Sequence, residues 1–353
     1  MRKKIINTIA ITSLLAACTL QAEPYTITVP KVPSVDAKVP LVDYVIVNGK
    51  ATKVDHTKSV KSEQTATVVK KKSIIGSSHR VPPNYGKKEK VKEDKNIIAG
   101  DVKNNRVPAY LFSAITSIDE AIKNLKEAGF KIVSKYKVDK KGKFIALVFT
   151  NDDLEKISAQ KSRGFAASIR LLVDTKNARI SILNPVYMTK AYMQDSYDKK
   201  VAKKTLDALH VAFKDLKPSN DIIKFTRLPR YQFMQNMPFY KDMIKVASGS
   251  NESLLKKARK SKKVKLVYEQ KLANGATLIG IKLSKRTGKF VKKIGYQNSQ
   301  LLPYPILIEN NEAKILDPKY YIALMYPRLS MSEFMTIATV PGAIQKDCDR
   351  VFR

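Results

Sequence analysis

At 353 residues the chain has room for two domains of ordinary size, each able to bury a core without metal or disulfide staples. It carries 66 Lys and Arg against 31 Asp and Glu, a formal net charge of +35, mostly as Lys, a hydrated point charge rather than a bidentate fork. That balance favours anionic partners, and two cysteines, one of them near the N-terminus, exclude an internal disulfide framework.

Arg2, Lys3 and Lys4 precede an apolar stretch over 5–17 that is too short to span a bilayer and reads as a signal peptide. Leu15-Ala16-Ala17-Cys18 looks like the lipobox of bacterial lipoproteins, which would make Cys18 the acylated first mature residue; ordinary cleavage after Ala22 is the alternative. Thr19 after the cysteine would direct a lipoprotein to the outer membrane, held there by its acyl chains. The expectation is an exported, periplasmic bacterial envelope protein. Export turns the search for an anionic partner away from nucleic acid and towards envelope components or acidic proteins.

Residues 23–106 are rich in Lys, Pro, Val and Ser and read as a basic linker, with a hairpin over 44–54 around Asn48-Gly49 as its one structured candidate. Beyond it the elements recur at an offset of 133 or 134 residues, which predicts two copies of one α+β module, over 107–216 and 243–353, joined by a connector over 217–242. Copy one has a strand over 110–115, then the capping signal Ser117-Ile118-Asp119-Glu120 and a helix with Ala121, Ile122, Leu125 and Ala128 on one face. Copy two answers with a strand over 243–247, Ser250, and Leu254, Leu255 and Ala258. Paired strands follow in each (130–138 with 143–150; 264–272 with 276–283), then a short helix (152–161; 289–294). A second hairpin (168–173 with 178–183; 305–309 with 313–316) ends in Asn184-Pro185-Val186-Tyr187 in one copy and Asp317-Pro318-Lys319-Tyr320 in the other. Closing helices are predicted over 200–216 and 342–352.

Leu302-Pro303, the strands at 305–309 and 313–316 and Asp317-Pro318 resemble the core signature of the family numbered three hundred and two among domains of unknown function. The resemblance implies a two-layer α+β fold in each copy, an antiparallel-rich sheet with helices on one face, and copy two carries it more strongly. Family members often have a cysteine after that Leu-Pro, where this chain has Tyr304, so a thiol or metal role there does not carry over.

The chemistry of the remaining motifs is sparse. His56 and His79 sit in the linker and His210 stands alone on a helix, so no histidine metal site and no cofactor is expected. Gly275 and Gly280 have phosphate-loop spacing but lie in a strand, and no serine or cysteine has a histidine partner for nucleophilic catalysis. Cys348 falls on the apolar face of the last helix and reads as a core residue.

Two sets of candidate binding residues remain. The basic run Lys256, Lys257, Arg259, Lys260, Lys262 and Lys263 is either a solvated helix face or a surface for an anionic partner. Tyr187, Tyr320, Asn184 and Asp317 recur at the hairpin ends of the two copies and read either as a site or as a corner of the fold; Tyr304, after Leu302-Pro303, joins them as a candidate for lining a pocket. The function expected is that of a non-enzymatic tethered binding module for an anionic or protein partner. The alternative is a small-molecule pocket between sheet and helices, near Tyr304 and Tyr320, with binding or enzymatic use.

Overall fold

A computed structural model describes residues 44–47, 50–53, 98–114 and 117–353. The chain divides into two compact units between Lys88 and Glu89. In the first, β1 (Tyr44–Val47) pairs antiparallel with β2 (Lys50–Lys53), with Val47 opposite Lys50. Cys18, Ala22, His56, His79 and the Pro-rich stretch lie outside the described residues.

The second unit opens with Ile98, Ala99 and Val102 already packed on the core, so residues 98–106 belong to the folded body and not to the linker. β3 (Arg106–Pro108) leads to β4 (Tyr110–Ala114), α1 (Ile118–Glu127), β5 (Lys131–Lys137), β6 (Phe144–Thr150), α2 (Asp152–Ser158), β7 (Ile169–Asp174) and β8 (Arg179–Leu183). Then come α3 (Pro185–Met193), α4 (Lys199–Ala212), β9 (Lys217–Pro218) and β10 (Ile222–Lys224). The second module runs β11 (Ile244–Ser248), α5 (Asn251–Lys260), β12 (Lys265–Lys271), β13 (Thr277–Lys282), α6 (Val291–Ile294), β14 (Tyr304–Glu309), β15 (Glu312–Ile315), α7 (Pro318–Met325), α8 (Met331–Met335) and α9 (Val340–Arg350).

The fold is α+β, with two tandem two-layer modules. Sheet one has the order β5-β6-β7-β8-β4-β9 and sheet two the order β12-β13-β14-β15-β11. Every pairing is antiparallel, and the first five strands of sheet one match sheet two in order and in sequence of use. Local chemistry starts the helices at the expected places. Ser117 accepts from the Glu120 amide at 3.0 Å and Ser250 from the Ser253 amide at 3.2 Å, each satisfying one of the orphan donors of a first turn. The stretch over 217–242 is not a plain connector: β9 adds to sheet one beside β4, and β10 pairs with β3.

Side-chain alternation gives each sheet two different faces. On sheet one, Leu111, Leu147, Phe149, Leu171, Val173, Ile180 and Ile182 are buried on the helix side. The opposite face presents Phe144, Arg170, Ser181 and Tyr110, which meet module two: Phe144 stacks on Tyr296 with ring centroids 4.3 Å apart, and Tyr110 Oη donates to the Met325 carbonyl at 2.6 Å. Sheet two likewise turns Tyr268, Gln270, Leu307 and Glu309 towards module one. Gln270 Nε2 donates to the Ala167 carbonyl at 3.1 Å, and the Glu309 carboxylate accepts from the Ser162 amide at 2.9 Å. The two modules therefore close on one another along a seam that mixes apolar packing with buried polar bonds.

Arg170 is the cation inside that seam. Its Nη1 donates to the carbonyls of Gln300, Leu301 and Pro303 at 3.1, 3.2 and 2.8 Å, and Nη2 to the Tyr268 hydroxyl at 3.2 Å. A buried charge needs such partners or it shifts the balance towards unfolding by several kcal/mol. Tyr268 reaches this position because its ring lies over Gly280 on the neighbouring strand, where any Cβ would collide with it. That close approach explains a glycine inside a strand.

Candidate functional site

Asn184 and Asp317 are helix N-caps. Asn184 Oδ1 accepts from the Val186 amide at 3.0 Å while its Nδ2 donates to the carbonyls of Gly100 and Pro108 at 2.9 and 2.8 Å; Asp317 accepts from the Lys319 amide at 2.8 Å. Each is followed by Pro at the first helical position, the pattern that opens a helix. The sequence reading ended the hairpins there and missed α3 and α7, because both are apolar on all sides and show little of the 3.6-residue alternation that marks a half-exposed helix.

Tyr187, Tyr304 and Tyr320 are buried, Tyr304 and Tyr320 at 0 and 1 % exposure. Tyr304 Oη donates to the Leu316 carbonyl at 3.1 Å, within its own module. Tyr187 Oη instead crosses to module two and donates to the Leu324 carbonyl at 2.8 Å. That carbonyl lies beyond the last backbone bond of α7, from the Tyr326 amide to the Ile322 carbonyl at 2.9 Å, and so has no intrahelical partner. Tyr231 Oη takes the Ala323 carbonyl at 3.1 Å, and Tyr110 Oη with Asn298 Nδ2 takes that of Met325 at 2.6 and 2.9 Å. The end of α7 is thus capped by three hydroxyls from outside its own module, joined at Met325 by Asn298 from within it. Tyr320 Oη has no hydrogen-bond partner, its ring lying against Tyr231 and Tyr240 at 6.0 and 6.1 Å. Burial pushes the hydroxyls of Tyr187, Tyr304 and Tyr320 well above the usual phenol range.

The basic run lies on the second half of α5 and the turn after it, and Lys256, Lys257, Lys260, Lys262 and Lys263 are all exposed. Arg259 is the exception in use, holding Glu269 in a two-point bond at 2.7 and 2.6 Å that lowers the carboxyl's pKa and raises the guanidinium's. The five lysines have no carboxylate at ion-pair distance among the described residues. Elsewhere some lysines do meet acids: in module one Lys131 meets Glu155 at 3.2 Å, Lys135 meets Asp119 at 3.2 Å, Lys203 meets Asp207 at 2.8 Å and Lys204 meets Asp153 at 2.7 Å, and in module two Lys245 meets Glu312 at 3.3 Å. Residues 243–353 hold 21 Lys and Arg against 8 Asp and Glu, whereas 107–216 hold 20 against 12, so the uncompensated charge concentrates in module two. Part of it suits the helix: cations in the last turn of α5 face the negative end of its dipole. Lys262 and Lys263 continue the patch beyond that turn.

A cleft of about 420 Å³ opens elsewhere, at the rim of the seam. Module one contributes Phe112, Arg179 and Asp221; module two contributes Gln297, Asn298 and Arg328. Arg179 starts β8 and projects from the seam face of sheet one, its guanidinium 4.5 Å over the Phe112 ring. Its Nε is buried without a hydrogen-bond partner. The nearest carboxylate, Asp174, is 3.9 Å away and is committed to its own turn, accepting from the amides of Lys176 and Asn177 and from Asn177 Nδ2. Asp221 is half-buried, and its carboxyl pKa is raised by that burial, with Arg328, Arg179 and Asn298 pulling the other way. None of these residues stood out in the sequence. They come from segments up to 216 positions apart (Phe112 to Arg328), so no spacing links them; the one local sign was the polar triplet Ser219-Asn220-Asp221 in the supposed connector.

Cys348 is buried in α9, as its apolar spacing suggests, and His210 Nε2 sits 2.8 Å from the Ala99 carbonyl. Among the described residues no helix is long and apolar enough to cross a membrane, and no three His, Cys, Asp or Glu side chains gather as metal ligands. Comparison with protein-family models, curated proteins and solved structures finds no match to the chain.

Proposed function

We infer that the chain is a non-enzymatic, exported envelope protein that binds an anionic polymer of the envelope through the lysine surface of module two. The observation that carries this reading is the density of the α5 run: five exposed lysines fall within the eight residues from Lys256 to Lys263, none of them at ion-pair distance from a carboxylate among the described residues. Unpaired cations grouped on one face raise the local potential and the encounter rate with a polyanion. Lysine suits such a partner, whose charges are many and loosely placed, better than it suits a single planar carboxylate. The leader sequence supports the compartment, and the basic stretch over 23–106 would tether the folded body at a distance from a lipid on Cys18.

Replacing Lys256, Lys257, Lys260, Lys262 and Lys263 by Glu should abolish binding of the full chain to anionic polysaccharide isolated from the envelope. The same reversal at Lys131, Lys135 and Lys203, which have acids beside them, should weaken it far less. Equal loss from both sets would reduce the interaction to net charge and remove the assigned surface.

A further inference from the structure

The cleft at the seam calls for a different ligand from the lysine surface. Arg179 is held in place by the Phe112 ring, with its Nε buried 3.9 Å from Asp174 and its side chain 30 % exposed where it lines the cleft. A guanidinium fixed in this way keeps donors to offer a ligand without first being ordered. A guanidinium prefers a planar acceptor that takes two parallel bonds, and a carboxylate is the smallest that does. Arg328, an exposed lining residue free of any ion pair among the described residues, adds a second positive charge. Asp221 supplies the opposite sign in the same space, and the two arginines only partly offset the cost of its burial; the other carboxylate on the lining, Glu333, is committed to the Ser330 amide and hydroxyl at 2.8 Å. A ligand bearing negative charge alone would meet Asp221 as repulsion; one bearing positive charge alone would meet the arginines. A molecule with one of each leaves neither side opposed.

We propose that this cleft binds a small zwitterion of amino-acid or short-peptide type, with Arg179 and Arg328 receiving its carboxylate and Asp221 its ammonium group. The volume of about 420 Å³ falls in the range of small-molecule sites, and the walls are already fixed in part. Tyr326 Oη is bonded to the Gly295 carbonyl at 2.8 Å, and Asn298 is held through Met325 at 2.9 Å. Both modules contribute charge, so the site exists only where they meet. It lies on side chains separate from α5 and stands or falls independently of polymer binding.

The test is calorimetric titration of the full chain with L-alanyl-L-alanine, its N-acetyl derivative and its C-terminal amide. The free dipeptide should bind saturably, and blocking either end should weaken binding about tenfold or more, the scale of one lost charge-assisted hydrogen bond. Arg179→Gln should erase the preference for a free carboxylate, and Asp221→Asn the preference for a free amine. Thermal melts check that the variants fold; should Arg179→Gln unfold, Arg328→Gln at an exposed side chain gives the same reading. No saturable binding of the dipeptide at millimolar concentration, binding indifferent to both blocking groups, or variants that keep full discrimination would each overturn the proposal.

Discussion

Replacing Arg170 by Met keeps an unbranched side chain in the seam and removes the guanidinium alone. The wild-type group serves three carbonyls and one hydroxyl. Leu301 would not be stranded, because its carbonyl also accepts from Tyr321 Oη at 3.1 Å. The carbonyls of Gln300 and Pro303 would be, and leaving two buried acceptors unpaired costs about 2–6 kcal/mol. Relief of the buried charge returns part of this, so the net loss should be about 2–4 kcal/mol. For a body of some 250 residues that corresponds to a melting temperature lower by about 5–15 °C. Scanning calorimetry with urea titration of the full chain measures it. A variant within about 0.5 kcal/mol of wild type, the size of an ordinary surface change, would show that the guanidinium contributes no net stability and would refute the view that it joins the modules.

Three further outcomes follow from the same structure. Gly280→Ala places a methyl group in the Tyr268 ring and should destabilise by about 1–3 kcal/mol, read as a lower urea midpoint; pairing it with Tyr268→Leu should recover most of the loss. The hydroxyls of Tyr110, Tyr187, Tyr192, Tyr304 and Tyr320 are pushed up by burial. The native state therefore keeps these protons where the unfolded state loses them, so stability is intact below about pH 10 and falls above it. Ultraviolet titration should show these phenols ionising only together with unfolding. Asp221 is a carboxyl raised by burial, so its cost is absent below about pH 4 and full above its folded pKa. Asp221→Asn should accordingly melt higher than wild type at neutral pH, with the difference vanishing as pH falls; a lower melting temperature at neutral pH would contradict this.

The strands and capped helices were legible because their signals are local. Ser117 and Ser250, the turns at Gly142 and Gly275 and the alternation along β5 and β12 each act within a few residues. Helices α3 and α7 escaped because full burial removes the polar face that gives a helix its period. The seam escaped for a related reason. Arg170 and Tyr268 read as ordinary strand residues, and only the pairing of two sheets across 98 positions of sequence makes them partners. Of the candidate site residues, the lysines lie together on one helix and its following turn, as contiguous sequence would place them. The tyrosines and caps were legible as positions in a repeat but not as what they do: Tyr187 caps a helix of the other module rather than a turn of its own. The cleft around Arg179 and Asp221 left no trace in the sequence, because its charges are gathered by the fold and not by spacing.

Salt dependence of binding between the wild-type full chain and isolated envelope polysaccharide tests the lysine surface most directly. The account predicts that the logarithm of the association constant falls linearly with the logarithm of salt concentration, and that neutralising Lys256, Lys257, Lys260, Lys262 and Lys263 to Gln flattens the slope, each lost contact releasing one counterion fewer. Binding that is unchanged by salt, or a slope that survives the five substitutions, would contradict it.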